Sequence, residues 1–93
     1  MKHIKNLELA DNKLTKISFI VENFKKLERL QLSRNEVNDI KGVSELAFLE
    51  KLNLRNNQLT SLPDEICSLR NLKGLNIRYN QIKELPKEFG NLS

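Results

Sequence analysis

The chain is poor in the residues that carry most recognisable chemistry. Its 93 residues include one Cys, one His, one Met, two Pro, three Gly and no Trp. A single cysteine, Cys67, excludes an internal disulfide framework and any paired-cysteine metal site, and a lone thiol points to a reducing compartment. His3 stands near the terminus, far from Cys67, so the two give neither metal-ligand spacing nor a catalytic set. The glycines Gly42, Gly74 and Gly90 are isolated, and no G-x-x-x-x-G-K, G-x-S-x-G or H-E-x-x-H motif occurs. No apolar run approaches the roughly 20 residues of a membrane span, and the basic start MKHIKNLEL lacks an apolar signal core. These gaps argue against an enzyme, a bound cofactor or metal, and a membrane partner. The expected location is cytoplasmic.

Charge is also modest. Sixteen Lys and Arg against twelve Asp and Glu leave a net +4, a slight bias toward acidic partners. That falls short of the clustered basic footprint of a dedicated nucleic-acid binder, so nucleic acid is an unlikely partner.

What the chain does have is leucine in a fixed order. In LEKLNLRNNQLTSLPDEICSL, residues 49–69, Leu52 and Leu54 alternate with Lys51, Asn53 and Arg55, which puts the leucines on one side of a short strand. Arg55-Asn56-Asn57-Gln58 is a turn signal, because Asn tolerates turn conformations and bonds nearby backbone. Leu59 and Leu62 point back inward. Pro63 forbids a ladder bond, and Asp64, read as a helix N-cap, opens a short segment carrying Ile66 and Leu69.

The same order recurs four times. The first three anchors and the Asn read Ile4, Leu7, Leu9, Asn12; Leu27, Leu30, Leu32, Asn35; Leu49, Leu52, Leu54, Asn57; and Leu72, Leu75, Ile77, Asn80. Four more columns follow: Leu14, Val37, Leu59, Ile82; Ile17, Ile40, Leu62, Leu85; Val21, Val43, Ile66, Phe89; and Phe24, Leu46, Leu69, Leu92. Outside the columns the apolar residues are Met1, Ala10, Phe19, Ile20, Ala47, Phe48, Cys67 and Tyr79, too few for a second core. The chain therefore reads as one domain over residues 1–93. Val21 is placed inward by register, with Ile20 competing for the slot.

The pattern LxxLxLxxNxL resembles the leucine-rich repeat across essentially the whole chain. The resemblance implies an α/β right-handed solenoid with a four-stranded parallel concave sheet and short helical, 3₁₀ or extended convex segments. The repeats span residues 4–26, 27–48, 49–71 and 72–93, of mixed 22- and 23-residue type. The second lacks Pro and resembles the shorter subclass with a nearly extended or 3₁₀ convex side, Gly42 easing the tighter path. Secreted members of the family usually carry disulfide-bonded flanking caps, which one cysteine cannot build. Polar end caps are normal in such arrays, and neither end supplies one. The expectation is part of a longer array, or a chain that stacks end to end with a copy or a partner.

Asn12, Asn35, Asn57 and Asn80 read as a structural ladder, satisfying backbone groups buried in the bend. Function falls on the concave positions, where the family's binding surface usually lies. These are Asn6, Glu8, Ala10, Asp11, Lys13; Arg29, Gln31, Ser33, Arg34, Glu36; Lys51, Asn53, Arg55, Asn56, Gln58; and Gly74, Asn76, Arg78, Tyr79, Gln81. Arg29, Arg34, Lys51, Asn53, Arg55, Arg78 and Tyr79 are the candidate partner-binding residues, since Arg and Tyr are enriched among interface hot spots. The resulting expectation is a non-catalytic scaffold holding a protein partner of acidic or polar surface. The alternatives are a targeting or regulatory segment of a larger GTPase, kinase or ubiquitin ligase, and nucleic-acid binding through the basic face.

Overall fold

The computed structural model describes residues 3–87. The expectations placed on Phe89, Leu92 and the C-terminal end of the array lie outside the described residues.

Four short strands, β1 Asn6–Glu8, β2 Arg29–Gln31, β3 Lys51–Asn53 and β4 Gly74–Asn76, form one parallel sheet in chain order. Each contributes one apolar side chain inward and, apart from β4 where Gly74 has none to give, two polar ones outward, the period-two pattern of a strand with one buried face. The register is in step: Leu7 lies opposite Leu30, Leu30 opposite Leu52, and Leu52 opposite Leu75. Each regular strand is three residues long, but the ladder continues past it. Leu9 N–H donates to Gln31 O at 2.9 Å and Asp11 N–H to Ser33 O at 3.0 Å, and the next two coils repeat both bonds. A second ladder forms beyond the turn, with Glu36 N–H donating to Leu14 O, Gln58 N–H to Val37 O and Gln81 N–H to Leu59 O.

The convex side differs in every described coil, for local reasons. In the first, Ser18–Asn23 is an α-helix, α1. Ile17, Ile20, Val21 and Phe24 stand at i, i+3, i+4 and i+7, one stripe of a 3.6-residue helix, and all four are buried. Ile20 and Val21 do not compete for one slot, as the column register suggested; at 3% and 4% exposure both are core. Phe19, the next residue round the helix, is left exposed, its ring 6.2 Å from that of Phe24 in an edge-on contact. The second coil makes a 3₁₀ turn, Val43–Glu45, entered through Gly42 at φ 93, a left-handed conformation that glycine adopts without a Cβ penalty. The third makes a longer 3₁₀ segment, Asp64–Ser68. Here Pro63, extended at φ −70 and ψ 150, takes the N-cap place expected for Asp64, and no side-chain cap bond forms. Asp64 falls one position inside, where its charge still suits the segment's N-terminus.

The interior is a ladder. The apolar columns from Leu27 to Leu69 are buried throughout, so the second and third coils are sealed on both sides. In the first coil Ile4, Leu7, Leu9 and Leu14 are partly buried, and in the fourth Leu75, Ile77 and Ile82 are too, while Leu85 is 49% exposed. Cys67 is half-buried rather than buried. Ser33, placed by sequence on the concave face, is 4% exposed, and its N–H donates to Gln31 Oε1 at 2.9 Å.

Candidate functional site

The asparagine column works as a relay between coils. Asn57 donates from Nδ2 to Leu54 O in its own coil and to Leu32 O in the coil before, both at 3.0 Å, and its Oδ1 accepts from Val37 N–H at 2.9 Å. Asn35 does the same with Leu32 O, Leu9 O and Leu14 N–H, and Asn80 with Ile77 O, Leu54 O and Leu59 N–H. Among the described residues no coil lies before that of Asn12. Asn12 is exposed, contrary to the burial expected of the whole column, and donates to Leu9 O and Ala10 O. These amides are structural and leave no capacity for a partner in the second and third coils.

One residue before each asparagine the backbone turns left-handed: Asp11, Arg34, Asn56 and Tyr79 have φ of 62, 56, 60 and 61. Asp and Asn tolerate that region, whereas an arginine or a tyrosine there is strained. The two strained residues are engaged across coils. Arg34 donates to both carboxylate oxygens of Asp11, which holds that carboxyl below the usual aspartate range and pushes the guanidinium up. Tyr79, 63% exposed, carries the Arg55 guanidinium 4.9 Å above its ring.

The outward side chains of β1 to β4 line a shallow trough of about 460 Å³ across the sheet. One wall is Asn6, Arg29, Lys51 and Gly74; the other is Glu8, Gln31, Asn53 and Asn76. Arg55 and Arg78 follow β3 and β4 by two residues, outside the trough's lining but beside its second wall, where Asn53 and Asn76 hold their backbone N–H groups. A hollow of about 490 Å³ lies on the other side, between α1 and the Gly42 turn. Size does not separate the two, but chemistry does. The hollow's rim is of mixed sign: Lys16 pairs Asp39 at 3.7 Å and Glu45 pairs Lys25 at 2.9 Å, while Glu22 and Lys41 make no ion pair among the described residues. In the trough, Arg29 and Lys51 make no ion pair among the described residues, and neither do Arg55 and Arg78 beside it.

Of the seven candidate residues, the structure brings Arg29, Lys51 and Asn53 together in the trough and Arg55, Tyr79 and Arg78 along its margin. Arg34 is instead committed to Asp11. Asn53 is half committed: its Oδ1 accepts from Arg55 N–H at 3.0 Å. Gln31 and Asn76, which sequence reasoning put on the concave face but not among the partner-binding candidates, do the same for Ser33 N–H and Arg78 N–H at 2.9 and 3.1 Å. The signal was present in the strand column Gln31, Asn53, Asn76, two residues before the backbone each one holds. Among the described residues no group of three His, Cys, Asp or Glu side chains could hold a metal, and no helix is long and apolar enough to cross a membrane.

Two family models match the chain. Residues 2–46 match one described as Leucine Rich repeats (2 copies), and residues 47–93 match one described as Leucine rich repeat. The chain belongs to the leucine-rich repeat family. Leucine-rich repeats generally mediate protein–protein interaction and are typically non-catalytic. No curated protein matches the chain.

Proposed function

We propose that this leucine-rich repeat chain is a protein-interaction scaffold that receives its partner on the concave sheet face. The observation that supports the reading is the concentration of cations and amides on one face. Arg29 and Lys51 in the trough, and Arg55 and Arg78 beside it, make no ion pair among the described residues and stand with those amides on a backbone fixed by two ladders. A backbone already held by two ladders has little loop freedom left to lose on binding. Arg29, Lys51, Arg55, Arg78 and Tyr79 are the contact residues, with Asn53 contributing its amide N–H groups. Arg34 acts by tying the first coil to the second.

The test is positional cross-linking. A photoreactive benzoylphenylalanine replaces Lys51 in the trough or, as control, Lys41 at the hollow's rim, and adducts are identified after irradiation in cells. Protein adducts from position 51 and none from position 41 are expected. Equal yields from both positions, or nucleic-acid adducts at 51, would overturn the reading.

A further inference from the structure

We infer that the trough's occupant is an extended acidic segment of a partner protein, its carboxylates meeting Arg29, Lys51, Arg55 and Arg78. The inference rests on the concave-face reading and specifies its chemistry from the polarity of the lining.

The amide wall is a row of donors. A backbone N–H can only donate, so the bonds from Ser33, Arg55 and Arg78 N–H fix the oxygen of Gln31, Asn53 and Asn76 toward the chain. Each NH₂ group is then turned away from that bond, and among the described residues none of the three donates to a protein acceptor. Arg and Lys are likewise donors without acceptor capacity. From β2 to β4 the groups that remain unsatisfied are therefore donors, flanked by positive charge. Such a surface suits a ligand rich in acceptors and negative charge, and it penalises one that brings its own cations.

Dimensions and sign narrow the class. Four strands about 4.8 Å apart span roughly 14 Å, the length of about four extended residues. Glu8 closes the first-coil end of the trough with an unpaired carboxylate, so a uniform polyanion laid along its full length meets repulsion there. A peptide places its charges residue by residue and avoids that end, which a phosphodiester backbone cannot do. Stacking, on which single-stranded nucleic acids depend, has one candidate ring on this face, and Arg55 already covers Tyr79. The stack also defines Tyr79 as a positioning residue: the ring holds one face of the guanidinium, leaving its N–H edge for a carboxylate.

The experiment uses fluorescence anisotropy on the full chain at about 50 mM salt, where exposed charges are not fully screened. The probes are a labelled hexapeptide of alternating Glu and Asp, its Gln and Asn isostere, and a six-nucleotide oligouridylate. Saturable binding of the acidic peptide, about tenfold or more tighter than either other probe, is expected. Two variants report on the mechanism, each checked for native circular dichroism. Arg55→Glu with Arg78→Glu is expected to weaken the acidic peptide about tenfold or more, while Lys16→Glu with Lys41→Glu, of equal charge change at the hollow, changes it less than about twofold. Asn53→Asp keeps an acceptor for Arg55 N–H but replaces the outward donors with a carboxylate oxygen, so it weakens binding too. Tyr79→Phe retains affinity and Tyr79→Asn loses it. No binding of the acidic peptide, equal losses from both charge reversals, an unaffected Asn53→Asp, or tighter oligouridylate binding would each overturn the inference. Protein cross-links at position 51 with no acidic-peptide binding would defeat this inference alone; absence of those cross-links would defeat the reading beneath it.

Discussion

Asn57 spends its side chain inside the fold, bonding three carbonyls and one N–H in two different coils. Truncation to Ala would strand those groups where water does not reach, a cost of about 2 to 3 kcal/mol. Asn12 serves the same motif position from an exposed site with bonds to its own coil alone, so Asn12→Ala would cost about 0.5 to 1 kcal/mol. Urea unfolding of the two variants checks this, and equal losses would contradict the relay. The asparagine column was legible in the sequence because its spacing from the leucines is invariant. Asn12's exposure was not, since a repeat pattern marks position and not whether a neighbouring coil stands over it. The donor polarity of Gln31, Asn53 and Asn76 was hidden for a related reason: an amide's orientation is decided by a backbone bond that no side-chain pattern records.

At the scale of elements, the convex segments differ and yet are tied together. Glu65, in the third coil's 3₁₀ segment, reaches back to the second coil's turn and accepts from Ser44 N–H at 3.0 Å. Partial burial alone would raise its pKa, but bonds from the Ser44 backbone and hydroxyl and from Gly42 N–H outweigh it, holding the carboxyl below the usual glutamate range. A depressed folded-state pKa contributes stability that is present above the unfolded value and is lost as pH falls through the folded one. Glu65→Gln keeps an acceptor for Ser44 but removes the titration. The wild type is therefore expected to melt higher than Glu65→Gln at pH 7, with the gap closing below about pH 4.3; a gap independent of pH would refute the assignment. Sequence reading foresaw the segment after Pro63 and left the Gly42 coil open between a nearly extended path and the 3₁₀ turn that forms. It missed α1 because the repeat register assigned one inward slot where Ile17, Ile20, Val21 and Phe24 carry a helical stripe.

At the scale of the molecule, the four ion pairs among the described residues share one property. Lys5–Glu28, Lys16–Asp39, Lys25–Glu45 and Arg34–Asp11 all join the first coil to the second. The third and fourth coils have no such pair among the described residues and are held by apolar burial and the amide relay. Exposed pairs are individually weak and are screened by salt, with a Debye length of about 3 Å at 1 M. Raising sodium chloride is therefore expected to speed hydrogen exchange at Leu9 and Asp11, which donate from the first coil to the second, while Leu54 and Asn56 keep their protection. A uniform change across all four amides would show that these pairs do not hold the first coil. The number of coils and their in-step register were legible from sequence, but this unequal stitching was not, because it depends on which side chains meet across a coil boundary.

The relay has a kinetic consequence. Its cross-coil bonds join residues 20 to 26 positions apart, from Leu14–Asn35 to Leu54–Asn80. The chain entropy lost in closing each turn is then nearly the same wherever the turn lies, and no distant segments have to find one another. Structure can spread from one closed pair of coils to the next in either direction, so the time to fold depends on the first closure more than on the length of the array.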